Sequence, residues 1–400
     1  MGMLFGFDIA DALRLLAVAG IVTSTVYSLM VAAAAFRFRR RMRKNRAAAA
    51  RRSAFLPPVS VLKPMHGDEP NLERNLASFF EQDYPDYEIL FCARQENDPA
   101  LAAVRRVMAR YPQVQAQILI CGEPPWPNAR TYSLEFMRRQ ARHAILVTSD
   151  SDVSVGRDYL ARVVAPLADP QVGMVTCLYR GIAHNGLWAR LEAMGMSVEM
   201  SSGVLVAEML EGMKFALGPS MAIRQSTVEK IGGLEKVAQF YADDFILGKW
   251  TAAAGERVDL STYIVEHHVM NSGFSGSMAH QQGWATSTRF SRPLGHVGEV
   301  LTYAVPYGLL ALAAFGAAHA WALGAGLAAL TVFNRILLCL LVAGLVVKDR
   351  AAVRRAWLYP VRDLLGFVFW VGSYLAGRRL HYRGEPCELM AEGRLHKVAE

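Results

Sequence analysis

The sequence predicts an α/β block with a mainly parallel sheet, tethered to a membrane by apolar segments on both sides. Three observations carry that expectation. From residue 55 onward, strand and helix patterns alternate with a unit of roughly 25–30 residues. Residues 9–36 are nearly uncharged and long enough to cross a bilayer. Three further apolar segments, 300–321, 323–347 and 357–376, follow the block. Hydrophobic residues make up 53% of the 400, and the mean hydropathy of +0.19 is high for a soluble enzyme.

The first apolar stretch, "IADALRLLAVAGIVTSTVYSLMVAAAAF", carries only Asp11 and Arg14 near its start. It exceeds a signal-peptide core and shows no small-residue cleavage site, so residues 1–36 read as an uncleaved anchor. Residues 37–54 form a juxtamembrane segment whose stretch "RFRRRMRKNRAAAARR" holds nine Arg and Lys and no acid. The positive-inside bias places that flank in the cytoplasm and the amino terminus outside. The run also accounts for the formal charge of +8, so the basicity belongs to a membrane surface and nucleic acid is excluded as a partner.

Residues 55–274 are the catalytic candidate. "PPVSVLKP", "YEILFCA", "AQILIC" and "HAILVTSD" read as strands. "NLERNLASFFEQ" has helical spacing, with Leu72, Leu76 and Phe79 or Phe80 on one side. Asp98-Pro99 opens a second helix as an Asp cap with a first-turn proline, and "TYSLEFMRRQAR" gives a third. "FALGPSMAIRQSTVEKIGG" passes from a buried strand into a helix. The Met-rich 186–210 reads as a core helix or as a wall facing an acceptor.

In parallel sheets ligands collect outside the carboxyl ends of the strands, where Asp98, Asp150 and Asp152 fall. Asp150 and Asp152 flank one residue at the end of a buried strand. Two hard oxygen ligands there suit Mg²⁺ or Mn²⁺ gripping a diphosphate; the alternative is a turn or a helix cap. Asp243-Asp244 opens another helical pattern, so each is a candidate general base or an N-terminal cap. Gly218-Pro219-Ser220 lets backbone approach a ligand closely, or simply makes a tight turn.

Residues 275–298 place Trp284, Arg289 and Arg292 just before the second apolar segment, the pattern of an interfacial helix. Residues 299–376 hold the C-terminal apolar helices and 377–400 the tail. The connection "KDRAAVRR" is basic and hence cytoplasmic. If 357–376 then crossed, the basic tail "GRRLHYRG" would lie outside, against the bias. Either that segment is re-entrant or charge misleads there, and Arg362 can pair with Asp363 within it. The five cysteines lack CxxC spacing, which fits a reducing compartment.

The segments "VSVLKPMHGDEPNLERNLASFFEQDYPDYEILFC", "NDPA", "SDSDV", "GPSMAIR…IGG" and "ADDF", in that order, resemble the ceramide glucosyltransferase family, glycosyltransferase family 21. The resemblance runs over roughly residues 55–385 and extends to bacterial hopanoid-biosynthesis glycosyltransferases. It implies a GT-A type nucleotide-sugar domain with one N-terminal and about three C-terminal transmembrane helices, in an integral protein of the bacterial inner membrane with a cytoplasmic catalytic domain. It further implies inverting transfer of a hexose from a UDP-sugar to a lipid hydroxyl. UDP-glucose and ceramide are the first expectation, and UDP-GlcNAc with a hopanoid polyol is the alternative. By the same resemblance Lys63, Asp98 and Arg130 meet the nucleotide, and Asp150 holds metal and diphosphate. Asp152 completes the metal pair, Asp244 is the general base, and His280 and Trp284 belong to the interfacial motif. There the family's (Q/R)xxRW becomes "HQQGW", with Gly283 in place of arginine. Arg289, further along the same helix, is a candidate substitute, and a binding protein without transferase activity is the competing reading.

Overall fold

The computed structural model describes residues 9–49, 55–269, 273–382 and 385–397. Eight strands form the central sheet: β1 (Val59–Pro64), β2 (Tyr87–Ala93), β3 (Gln115–Ile120), β4 (Ile145–Ser149), β5 (Val153–Ser154), β6 (Val172–Ala183), β7 (Ser220–Arg224) and β8 (Arg257–Val269). Their order is β3-β2-β1-β4-β7-β6-β8-β5. The expected strands all form, and β3, β2, β1 and β4 pair in parallel. β7 then enters antiparallel to β4 and to β6, so the sheet is mixed. β1 and β4 are buried along their whole length, which is why they show no apolar/polar alternation. Because β4 is central, the chain emerges from the middle of the sheet edge at Asp150.

Two long strands, β6 and β8, were not expected from the sequence. They pair in parallel and carry Tyr179, His267 and His268 to the carboxyl-end rim. Residues 187–211 are a core element: helix Leu187–Met194, a π-helical turn Gly195–Met200 and helix Ser201–Glu211. The wide turn fits Gly195 against Arg362, whose guanidinium would stand 2.3 Å from a Cβ at that position.

The anchor from Ile9 and the basic run as far as Ala49 are one helix, Ile9–Ala49; residues 1–8 and 50–54 lie outside the described residues. Its basic end docks on the catalytic block: Arg41 pairs with Glu208 at 2.9 Å and donates to the Leu260 carbonyl. Among the described residues two helices are long and apolar enough to cross a membrane, Ile9–Asn45 and Trp321–Val347, or three if the bent pair Pro293–Thr302 and Val305–Gly316 counts as one. The bend falls where the Asp363 carboxylate accepts the N–H groups of Ala304 and Val305.

The helix Tyr359–Leu375 fills most of the 357–376 segment. Near its start Arg362 bonds Glu199 at 3.0 Å, and near its end Ser373 O accepts from Arg289 on the interfacial helix Phe274–Ser291. The tail after it forms a small sheet that hydrogen-bonds Gln239 and Tyr241 of the catalytic block. Arg362 and Asp363 do not pair with each other: Asp363 is held instead by buried Arg335 at 3.3 Å.

Candidate active site

The carboxyl ends of β1 and β4 bring three of the expected residues together. Asp150 leaves β4 and its Oδ1 accepts from Arg130 Nε at 2.8 Å. Arg130 lies in the first turn of helix Ala129–Gln140, which Asn128 caps by accepting the Thr131 N–H. Its guanidinium also donates to Asp243 Oδ2 at 2.7 Å and to the Gly218 carbonyl at 2.9 Å. Thr131 Oγ1 donates to the same Asp243 oxygen. Lys63, wholly buried on β1, donates to the Asp150 carbonyl at 2.8 Å and sits 3.6 Å from the centre of the Phe79 ring. Burial brings its ammonium down to about 7, against the pull of Asp150 and Asp152.

Asp244 begins helix Asp243–Ala253. Its Oδ2 accepts the Gly218 N–H at 2.5 Å and its Oδ1 accepts the Phe245 N–H at 2.8 Å. Gly218 thus serves both partners of the site: its carbonyl fixes Arg130 and its amide fixes Asp244. A Cβ there would stand 3.1 Å from the Asp244 carboxylate, so the close contact at Gly218 is with Asp244. Desolvation and the adjacent Asp243 raise Asp244 to about 6, with Arg130 pulling the other way. The group is therefore ionised at neutral pH and still a better base than an ordinary aspartate.

Asp152 is bound differently. Its Oδ2 meets His267 Nε2 at 2.8 Å, while its Oδ1 is buried with no hydrogen-bond partner among the described residues. Burial disfavours the Asp152 charge, but His267, Lys63 and His280 together hold the carboxylate below its usual range. The Tyr179 ring stands edge-on to His267 at 5.4 Å. Glu69 lies on the other side, accepting from Ser151 Oγ at 2.9 Å; burial and the Asp152 charge raise it to about 7. Asp98 is placed apart from this cluster. It caps helix Pro99–Arg110 through Ala100 N and accepts the Gly67 N–H, both at 3.0 Å, at the loop after β1.

On the interfacial helix, His280 Nδ1 contacts Glu192 Oε1 at 2.7 Å and its ring lies 4.3 Å from that of Trp284. Glu192, buried in helix Leu187–Met194, also accepts from Ser277 Oγ at 2.5 Å. A Cβ built at Gly283 would meet only Tyr241 Oη, in ordinary contact at 3.9 Å. The expectation that Arg289 substitutes for the missing arginine is not met. Its guanidinium donates to the Ser373 carbonyl and lies over the Tyr374 ring, directed to helix Tyr359–Leu375. A full turn and a half separates it from position 283, and that rotation turns it to another partner.

Sequence reasoning missed Asp243 as the Arg130 partner, Glu69, Glu192 and His267. The first two stood in segments already singled out. His267 was findable, because "LSTYIVEHHV" is rich in β-branched residues and ends in a polar pair as β4 does. Glu192, in an otherwise apolar helix, was a buried acid in need of a partner.

For a divalent cation the donor set fits in one particular way. Asp152 offers a buried oxygen without a partner, and Asp150, with 28% of its side chain exposed, lies two residues before it. Among the described residues no three His, Cys, Asp or Glu side chains make a ready cage. Mg²⁺ is characteristically held by one or two carboxylates together with substrate phosphate oxygens, and that is what this pair can provide.

A mixed sheet with a carboxylate pair emerging from its central strand defines the class: the fold is the GT-A fold of glycosyltransferases. The mannosyltransferase PcManGT from Pyrobaculum calidifontis, in complex with GDP-Man and Mn²⁺, matches it with a TM-score of 0.53 at 19% identity, over 91% of this chain and 98% of that one. More narrowly, the chain belongs to glycosyl transferase family 21, whose family model matches residues 16–395. It is similar to ceramide glucosyltransferase 1 of Caenorhabditis elegans, 30% identical over 209 residues, 52% of this chain and 45% of that protein. The ceramide glucosyltransferase of Komagataella phaffii is 31% identical over 169 residues, 40% of this chain and 32% of the relative. Each match therefore covers less than half of the curated relative.

Proposed function

We propose that the protein is an inverting lipid glycosyltransferase that moves glucose from UDP-glucose to the hydroxyl of ceramide at the cytoplasmic leaflet of a bacterial inner membrane. The observation that carries this reading is the Arg130 bridge. One guanidinium ties Asp150, at the end of the central strand, to Asp243 and Gly218, and Gly218 in turn orients Asp244. The diphosphate end and the base are built as one unit. Family membership and the ceramide glucosyltransferase relatives support the choice of donor and acceptor.

In this reading Lys63 and Asp98 flank the nucleotide, and Asp150 and Asp152 hold Mg²⁺ or Mn²⁺. The bound ion supplies charge neutralisation to the departing UDP. Asp244 takes the proton from the lipid hydroxyl as that oxygen forms the new bond to the anomeric carbon and the bond to UDP breaks, with inversion. Its raised pKa, about 6, matches this task. Glu192 fixes the His280 ring through Nδ1, and His280 with Trp284 covers the site from the interfacial helix. The acceptor approaches from there, because the same helix runs into the apolar pair Pro293–Thr302 and Val305–Gly316.

The test is UDP release by the full-length protein in detergent with Mn²⁺, using UDP-glucose and UDP-GlcNAc separately, each with ceramide, with a hopanoid polyol, or with no acceptor. Release that requires UDP-glucose and ceramide supports the proposal. Release that requires UDP-GlcNAc and the hopanoid moves the assignment to the alternative pair, and UDP-sugar binding without release under every condition refutes catalysis.

A further inference from the structure

The basic end of the anchor helix and the end of helix Trp321–Val347 meet on one flank of the catalytic block, away from Asp150. A cavity of about 430 Å³ lies there, bounded by Arg39 and Arg43 of the anchor, Arg162 and Arg180 of the block, and Lys348. A second cavity of about 440 Å³ shares Arg39 and Lys348 and adds Arg350 and Arg354. Two acids line the pair, and both are engaged. Asp158 pairs with Arg162 at 3.3 Å. Asp349 caps the helix Arg350–Arg354 through Ala351 and Ala352 and accepts from Ser197. Arg180 is held by Glu266 and by the carbonyls of Val347 and Lys348. Arg39, Arg43, Arg350 and Arg354 have no carboxylate partner among the described residues.

We propose that this cleft binds the phosphate of an anionic phospholipid from the leaflet facing the catalytic block. Four arginines without carboxylate partners converge from two chain segments on a concave surface, so their fields add where a phosphate would sit. Arginine presents a planar fork that matches phosphate oxygens. The wall also carries Met42, Ile264, Leu345 and Val347, apolar groups that suit the glycerol and first acyl carbons of a lipid and have no use for a free anion. The cleft also sits where two bilayer-crossing helices leave their apolar stretches, the depth at which lipid headgroups lie. Topological sorting by positive charge needs basic residues near a span, but it needs no cavity and no convergence of separate segments.

The full-length protein, purified in neutral detergent and freed of lipid, would be titrated with short-chain phosphatidylglycerol or phosphatidylcholine and read by native mass spectrometry. Inorganic phosphate would serve as the soluble competitor. The variants are Arg39→Gln with Arg43→Gln and, separately, Arg350→Gln with Arg354→Gln. Arg105→Gln with Lys249→Gln is the charge-matched control outside both cavities. The proposal expects preferential phosphatidylglycerol binding in the wild type and control, weakened on the order of tenfold in each cleft variant, the scale set by about 1 kcal/mol per basic residue at an anionic surface. Equal binding of the two lipids, or equal losses in cleft variants and control, overturns it. Displacement of phosphatidylglycerol by inorganic phosphate alone would make this a free-anion site and overturn the lipid assignment. Should one double variant fail to fold, the other and the wild-type comparison still decide.

Discussion

Replacing Arg130 with methionine removes the one cation that joins the two ends of the site. The variant strands Asp150 and Asp243, with side-chain exposures of 28% and 12%, beside Asp244. Breaking a buried pair by deleting one partner costs about 3–5 kcal/mol. Asp150 is exposed enough for water to recover part of that, so about 2–4 kcal/mol is the expected loss. For a domain of this size that corresponds to a fall in Tm on the order of 5–15 °C. The second effect has a definite sign. Arg130 lowers the pKa of Asp244, which stands at about 6, so its removal raises that value. If the rise is about one unit, the ionised fraction at pH 7 falls from about nine-tenths to about half. The ascending limb of the pH–rate profile for UDP release therefore moves to higher pH. Arg130→Lys, which keeps the charge and loses the planar fork, should fall between wild type and Arg130→Met on both measures. An ascending limb that stays in place or moves to lower pH in Arg130→Met would refute the electrostatic coupling.

Further expectations follow from the same geometry. Glu192→Gln should lower kcat about tenfold through loss of His280 orientation, with Tm little changed and KM for UDP-glucose nearly constant, in a steady-state comparison; a matching loss in Tm would make Glu192 merely structural. Gly283→Arg adds a Cβ that meets only Tyr241 Oη, in ordinary contact, at the interfacial helix. It should gain up to about 1 kcal/mol of stability from helix propensity and tighten UDP binding, read by thermal shift and calorimetry. Asp152→Asn should cost metal-dependent UDP binding while leaving metal-free binding of uridine in place, measured with and without Mn²⁺.

Much of this architecture was written in local pattern. β1, β2 and β4 are short runs rich in β-formers, Asp98-Pro99 is a cap with its proline, and the Asp150 pair sits where a buried strand must stop. What was not legible depends on contacts distant in sequence. β6 lacks alternation because both its faces are covered, its first eight residues being buried, so its period carries no signal. Arg130 is an ordinary basic residue until folding sets it among Asp150, Asp243 and Gly218, and Glu192 acquires its meaning only when Ser277 and His280 arrive. The docking of the tail was also beyond charge counting: it rests on the contacts of residues 393 and 395 with the catalytic block.

The central claim is that Asp244 removes the proton from a lipid hydroxyl during inverting transfer. It is tested most directly by following labelled glucose from UDP-glucose into ceramide with wild type and Asp244→Asn, while UDP binding is measured on both. The account predicts β-glucosylceramide from the wild type. It predicts a loss on the order of a hundredfold or more in the variant, the scale of a positioned general base, with UDP affinity nearly unchanged. An α-linked product, or a variant that transfers at close to the wild-type rate, would contradict it.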